Sequence, residues 1–164
     1  MTEDAVDRIV AQWAEQRPDL DTGPMAVIGR ISRLADVLDD RLRPVFAEAG
    51  LGNGEFDVLA ALRRSGAPYR LSPTELGVTM MITSGAVTKR IDRLERVGLV
   101  SRTVSVRDAR GRDVALTEAG LRTVDAVVER HYENEERLLA ALPPADREHL
   151  VGLLRRLLVS LDED

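Results

Sequence analysis

The sequence contains no cysteine among its 164 residues, which excludes disulfides, thiolate nucleophiles and zinc–thiolate sites. Long hydrophobic runs are also missing. The longest uninterrupted apolar run has five residues, whereas a membrane-spanning helix needs about 20. Glu3 and Asp4 stand where a secretory signal peptide carries basic residues. These absences predict a cytoplasmic protein without a membrane segment.

Histidine is scarce as well, with only His131 and His149 in the chain. Without cysteine, a nucleophilic enzyme would need a hydroxyl group activated by one of these histidines. His131 and Glu135 are spaced i, i+4 and could share a metal ion, but a solvated helix face is the simpler interpretation. No glycine-rich phosphate loop followed by lysine is present. The sequence therefore predicts a binding protein rather than an enzyme, with no cofactor and no metal.

The chain is long enough, and at 44% hydrophobic residues apolar enough, to form one domain with a sizeable core. Its formal net charge of −5 is unlike that of a typical nucleic-acid binder. The charge is unevenly distributed, however, because residues 83–112 carry +5 while residues 113–164 carry −6. A basic segment on an acidic body suits local contact with a polyanion, although it could also be a solvated face.

Helical periodicity dominates the chain, and breaker residues divide it into elements. The predicted order begins with a helix over about 2–16, a linker over 17–24 and a helix over about 25–49 that is kinked at Pro44. Next come a helix that is capped by Asn53 and ends near Gly66, a very short strand at 69–71, a helix from Ser72 and a helix over 83–97. The order ends with a hairpin over 99–116, a helix from Thr117 to about Leu142 and, after Pro143 and Pro144, a last helix. The fold class is therefore mainly α with a small β hairpin.

Residues 72–116 carry the pattern that points to a function. Ser72, Pro73 and Glu75 form a capping box with proline at the first helical position, so a short helix begins there. A turn, a second helix and a hairpin with a basic, glycine-containing tip follow. This order is typical of a winged helix-turn-helix, whose second helix enters the major groove of DNA. At about 100° per residue, Val87 and Leu94 point inward with the rest of the apolar stripe, and small, polar or basic residues lie opposite.

The wing motif Asp108-x-Arg110-x5-Leu116-Thr117-x-x-Gly120 resembles the D-x-R-x5-L-T-x-x-G pattern of the MarR family of bacterial transcriptional regulators. The preceding segment, Ile91-Asp92-Arg93-Leu94-Glu95-x-x-Gly98-Leu99-Val100, resembles the family as well. One departure is Ser105-Val106, where many members have Asp-Pro. The resemblance covers about residues 25–161. It implies that Asp108 and Arg110 organise the hairpin and that Arg110 reaches DNA.

The expected function is ligand-responsive, sequence-specific binding of double-stranded DNA, with repression favoured over activation. The residues expected at the DNA lie at the start of the first helix of the motif, on the outer face of the second and on the hairpin: Ser72, Thr83, Ser84, Gly85, Thr88, Lys89, Arg93, Arg107, Asp108, Arg110 and Arg112. A winged helix that binds protein is the alternative. Such a module would be expected to lose the basic residues of the hairpin tip, which this sequence keeps.

The resemblance also implies a homodimer within a single MarR-type domain, residues 1–164. Helices over 25–49 and 117–161 would pack across a twofold axis, and residues 50–116 would form the DNA-binding lobe. The sequence supports this independently, because the leucine row from Leu150 to Leu161 exceeds what the end of a small chain needs internally. A monomeric helical hairpin is the alternative. A symmetric dimer would read a pseudopalindromic operator, with half-sites about one helical turn apart.

The extra helix and linker over residues 1–24 resemble the urate-responsive branch of the family, often called UrtR. That resemblance implies a ligand site made by Trp13, Asp57, Arg90 and Arg102. Two guanidinium groups can hold an anion bidentately, and a planar ring can stack on an indole. The effector is expected to be urate, or else a citrate-like or aromatic acid.

Helical geometry supports part of this site. Arg90 falls only about 40° from Leu94 around the helix, so it is aimed at the helix that carries Asp57 rather than at DNA. The alternative interpretation has Trp13 as the hydrophobic anchor of the first helix and Asp57–Arg90 as a structural ion pair.

Overall fold

The computed structural model describes residues 2–105 and 111–162, and the chain folds as two units, Met1–Pro44 and Val45–Asp164. The predicted fold class is confirmed, because helices dominate and the strands form one small antiparallel sheet. The division of a single domain into an extra helix, dimerisation helices and a DNA-binding lobe stays a prediction. Within the described residues, no helix is long and apolar enough to cross a membrane.

The first unit contains α1, Ala5–Gln16, and most of α2, Gly23–Ala47. Helix α1 begins later than the predicted Thr2, because the Asp4 carboxylate accepts hydrogen bonds from the backbone N–H groups of Val6 and Asp7 and so caps the helix. Arg30 of α2 donates to both Asp4 and Asp7. The N-terminal helix is thus tied to α2 at its first turn.

The second unit contains the remaining elements: α3, Asn53–Arg64; β1, Arg70–Leu71; α4, Pro73–Met80; α5, Ser84–Arg96; β2, Val100–Val104; β3, Arg112–Leu116; α6, Glu118–Leu138; and α7, Pro144–Asp162. The strand order is β1-β3-β2, all antiparallel. The predicted hairpin is therefore present, and the short strand β1 extends it to three strands by pairing with β3.

Several helix ends differ from the predicted ones. Helix α2 spans residues 23–47 instead of 25–49, since the Asp21 carboxylate accepts from the Gly23 N–H and starts the helix earlier. Asn53 is the first residue of α3 and not its cap, because the Glu55 carboxylate reaches back to the N–H of Gly52.

Helix α6 also ends early, at Leu138 rather than near Leu142. The Arg147 guanidinium donates to the carbonyl oxygens of Leu139 and Leu142. Leu139 is the C-cap of α6 and Leu142 lies in the turn that follows, so a side chain from α7 holds the turn that joins the two helices. The connection is therefore set by Arg147 as well as by the two prolines.

The core of the second unit is formed by α3 and the elements packed around it. Val58, Leu59 and Leu62 of α3 are fully buried, together with Leu76 of α4 and Val114 of β3. The apolar stripe of α5 packs against the same helix. Because α3 lies at the centre, its first turn is held in place next to α5.

Gly120, the last residue of the wing motif, allows α6 to approach the start of β2. A Cβ atom at this position would lie 1.9 Å from the carbonyl oxygen of Leu99, which is backbone and cannot swing aside. We expect Gly120→Ala to lower the free energy of unfolding by about 2 kcal/mol or more, the cost of overpacking a tight contact. Urea denaturation followed by circular dichroism measures this.

Gly85→Ala is the matched control, since a Cβ atom there meets no atom within 4 Å. In a helix this replacement is expected to raise stability by up to about 1 kcal/mol. Equal effects of the two substitutions would contradict a steric role for Gly120.

Candidate nucleic-acid interface and anion site

The helix-turn-helix begins at the predicted capping box. The Ser72 hydroxyl accepts from the Glu75 N–H at 3.2 Å, and the Glu75 carboxylate accepts from the Ser72 N–H at 2.7 Å. Helix α4 ends at Met80, and the left-handed conformation of its C-cap, Met81, turns the chain toward Thr83, the N-cap of α5. Ser72, predicted at the DNA, is half-buried and has its hydroxyl engaged in the cap.

Helix α5 presents one buried face and one exposed face, as predicted. Val87, Ile91 and Leu94 are at most 1% exposed. The residues predicted to contact DNA from this helix and its cap are all exposed: Thr83, Ser84, Gly85, Thr88, Lys89 and Arg93. The hydroxyl of Thr88 donates to the Ser84 carbonyl. Burial of the apolar stripe therefore leaves hydroxyl and cationic groups on one accessible surface.

The hairpin contributes less to the described surface. Arg107, Asp108 and Arg110, which were predicted to contact DNA or organise the wing, lie outside the described residues. Arg112 begins β3, is exposed and is paired in register with Val104.

Two arginines of α5 reach the N-terminal half of α3. The Arg93 Nε atom lies 3.0 Å from Glu55 Oε1, and the Arg90 Nη1 atom lies 3.7 Å from Asp57 Oδ2. The side chain of Glu55 is nearly buried and also holds the Gly52 N–H, whereas that of Arg93 is 58% exposed. Arg93 therefore pairs within the chain while keeping an exposed face.

Arg90 lies directly over the backbone of Gly54. A Cβ atom at Gly54 would be 2.3 Å from both Nε and Cζ of the arginine. Burial raises the pKa of Asp57, and the positive charge of Arg90 opposes that rise. The pair was expected from the position of Arg90 on the helix, and the structure brings both side chains together.

An open groove of about 890 Å³ separates the start of α3 from the outer side of α5. Four cations line it, Lys89, Arg90, Arg93 and Arg96, against two carboxylates, those of Glu55 and Asp92. An excess of guanidinium groups favours a carboxylate, phosphate or similar anion.

Of the other two predicted ligand residues, only Arg102 belongs to the same unit as the Asp57–Arg90 pair, and its guanidinium group has other partners. Arg102, on β2, donates to the carboxylates of Asp92 and Glu95. These acids lie about 200° and 140° around α5 from Arg90, so Arg102 is not brought next to Arg90. Trp13 belongs to α1 in the first unit, and its side chain is exposed.

His131 was considered for a metal site with Glu135. The two form an ion-pair contact of 3.1 Å, and the His131 ring lies between the rings of Phe46, Phe56 and Tyr132. Among the residues that the structure describes, no cluster of three or more metal-ligating side chains occurs.

Residues 49–111 match the MarR family. The chain is 42% identical over 151 residues to the HTH-type transcriptional regulator PecS of Dickeya dadantii. The match covers 92% of this chain and 91% of PecS. The chain belongs to the MarR family. AbsC, a MarR family transcriptional regulator from Streptomyces coelicolor, has a similar crystal structure, with a TM-score of 0.77. The two sequences are 25% identical, and the match covers 88% of this chain and 97% of AbsC. A mutant MarR from E. coli complexed with operator DNA shares the fold, with a TM-score of 0.72 and 24% identity over 89% of this chain and 97% of that one.

The predicted resemblance is therefore confirmed, including the branch to which PecS belongs. This MarR-family protein is a DNA-binding transcriptional regulator and not an enzyme. The fold is confirmed by AbsC as that of a winged-helix regulator.

Sequence reasoning missed the acidic partners of Arg93 and Arg102. Glu55 stands at the third position of α3, where a glutamate often closes a capping box, so its place at the helix start was detectable. Its pairing with Arg93 was not, because that contact joins helices distant in sequence. Asp92 and Glu95 were visible only as parts of the family motif.

The substitution Gly54→Ala tests whether Arg90 needs the space beside the backbone of Gly54 to stay close to Asp57. In Gly54→Ala the new methyl group meets the flexible end of a side chain, so Arg90 can move away and the free energy of unfolding should change by no more than about 1 kcal/mol. Without the nearby positive charge, the pKa of Asp57 should rise further. Carboxyl NMR titration of the regulator measures that pKa. The control Gly85→Ala should leave it unchanged, and an unchanged pKa in Gly54→Ala would contradict this role of Gly54.

Proposed function

We propose that this regulator acts in the cytoplasm as a homodimer that binds a pseudopalindromic operator, represses transcription and is released by a small anion such as urate. The observation that carries the proposal is the arrangement of α5. Its exposed face bears hydroxyl and cationic groups, while Arg90 on its flank is held by Asp57. One helix thus presents both a DNA surface and an anion-responsive contact.

Binding to DNA is supported by the charges and hydroxyl groups around α5. Lys89 and Arg112 are exposed, and Thr83 and Ser84 stand at the helix N-terminus, where backbone N–H groups favour a phosphate. Phosphate contacts from such groups set the register of a recognition helix, and base edges are read from the same face. The acidic charge elsewhere in the chain repels DNA, so binding is confined to this surface.

A homodimer is supported by the C-terminal helix. Helix α7 buries none of its residues within the chain. Seven of its apolar side chains are between 38% and 63% exposed: Leu150, Val151, Leu153, Leu154, Leu158, Val159 and Leu161. A contiguous apolar surface of this kind marks an interaction site, and a second copy of the same helix offers a matching one.

An anion site at Arg90 is supported by the energetics of Asp57. Burial raises the pKa of this carboxyl above its ordinary value of 3.8. Its titration therefore contributes stability that is present below pH 3.8 and is lost as the pH rises through the folded pKa. At neutral pH this titration makes no favourable contribution to the stability of the folded state. As effector contacts, Trp13 and Arg102 stay predictions.

The mechanism follows from the position of Arg90. An effector anion competes with Asp57 for the guanidinium group, and that group moves with α5, whose opposite face meets DNA. A coupling free energy of about 1–3 kcal/mol between the two sites would weaken operator binding by roughly 5- to 150-fold. The anion class suited to a guanidinium group includes urate, citrate-like acids and aromatic carboxylates.

Substitution of Lys89, an exposed cation on α5, tests the proposed DNA-binding surface. Fluorescence anisotropy against the DNA upstream of the regulator's own gene, at several salt concentrations, should show tight binding that weakens steeply with salt and saturates at two chains per operator. Lys89→Ala should bind more weakly and reduce the slope of log affinity against log salt by about 1.

Arg122→Ala, which removes a 73% exposed cation on α6, is the control and should change neither value. A wild-type affinity that ignores salt would contradict DNA binding. Saturation at one chain per operator would contradict the dimer.

Arg90 and Asp57 test the anion site. Urate and citrate are titrated into the operator complex, and the fluorescence of the only tryptophan, Trp13, is followed in free protein. One of these anions should release the DNA from wild type. Arg90→Ala and Asp57→Asn should fold normally and lose that release.

Asp125→Asn provides a matched control, because Asp125 forms a similar ion pair with Arg63, also on α3. It should respond like wild type. Full release from both the Arg90 and Asp57 variants would contradict the site, and quenching of Trp13 without release would separate anion binding from regulation.

A further inference from the structure

Arg102 makes a three-point contact with α5, the proposed recognition helix. Its guanidinium group donates to Asp92 through Nη2 and to Glu95 through Nη1. Its backbone N–H also donates to the Glu95 carboxylate, at 3.1 Å. Because β2 is the first strand of the hairpin, this residue links the wing to α5 by both its side chain and its backbone.

The two carboxylates occupy different places on α5. Asp92 projects from the middle of the exposed face, beside Lys89 and Arg96, and Glu95 lies on the flank opposite that of Arg90. A carboxylate in the middle of a DNA-facing surface would repel phosphates. Its negative charge needs a partner, and Arg102 supplies one that comes from the wing.

We propose that Arg102 is a positioning residue for operator binding, which neutralises Asp92 and Glu95 and fixes the wing against the recognition helix. This inference rests on the proposed DNA binding. It gives Arg102 a role other than the effector contact expected from the family resemblance.

Two features of the structure favour this role over effector capture. The guanidinium group already has one carboxylate on each arm, so an anion would have to displace two partners that are fixed to the same helix. The side chain is also about two-thirds buried between β2 and α5, which places its charge against the helix and not in the groove beside Arg90.

A double-mutant cycle tests the proposal by comparing Arg102→Gln in two backgrounds. In the native background the substitution leaves two carboxylates uncompensated near phosphates, and operator binding should weaken about tenfold. In the Asp92→Asn/Glu95→Gln background there is no negative charge to neutralise, and the same substitution should change binding by less than about twofold.

The effector response separates this role from ligand binding. In either background, urate or citrate should weaken operator binding by the same factor with and without the Arg102→Gln substitution, when each variant is compared with its own affinity in the absence of the anion. Arg102→Lys, which keeps the charge but not the two-armed geometry, should weaken operator binding less than Arg102→Gln does. Thermal melts by circular dichroism report folding, and the neutral triple variant contains no unpaired carboxylate at these positions to oppose it.

Each outcome bears on the proposal. Equal weakening in both backgrounds would overturn charge neutralisation, and loss of release with normal operator affinity would identify Arg102 as an effector ligand instead. If Arg102→Gln fails to fold, Arg102→Lys and the triple variant still test the proposal. Equal operator affinity of the triple variant and its Asp92→Asn/Glu95→Gln parent supports charge neutralisation. A tenfold difference between these two variants overturns it. Absence of operator binding by wild type would overturn the proposed function together with this inference, whereas wild-type binding without coupling would overturn this inference alone.

Discussion

The burial of three side chains, Val87, Ile91 and Leu94, is the interaction on which the functional surface depends. They fix α5 against α3, and each fully buried aliphatic side chain contributes about 1.5–3 kcal/mol. This packing sets the rotation of the helix about its axis. Every other residue of α5 then has a determined direction, toward solvent, toward the first turn of α3 or toward β2.

Ion pairs on both flanks refine this arrangement without being strong enough to create it. Arg90 and Arg93 reach α3, and Arg102 reaches back from β2. Partly exposed pairs of this kind contribute only about 0–1 kcal/mol each. Weak pairs suit a regulator, because a DNA phosphate or a small anion can replace one partner while the apolar stripe keeps the helix folded.

The sequence predicted well those features that depend on neighbouring residues. The capping box at Ser72, the inward stripe of α5 and the presence of a hairpin follow from periodicity and local hydrogen bonding, and the structure contains all three. The failures involve contacts from elsewhere. Helix α6 ends early where Arg147 bonds the carbonyl groups of the turn that follows, and Asn53 lost the cap position to Gly52 because Glu55 bonds the backbone there.

The sequence by itself determined the order of elements, the winged helix-turn-helix and which face of α5 is apolar, because these depend on spacings within single helices and turns. It also placed Arg90 toward Asp57, since one helical wheel was enough. Only the tertiary structure decided the partners of Arg93 and Arg102. An arginine side chain spans several ångströms and can reach more than one carboxylate, so its choice depends on how α3, α5 and β2 pack, which no local pattern encodes.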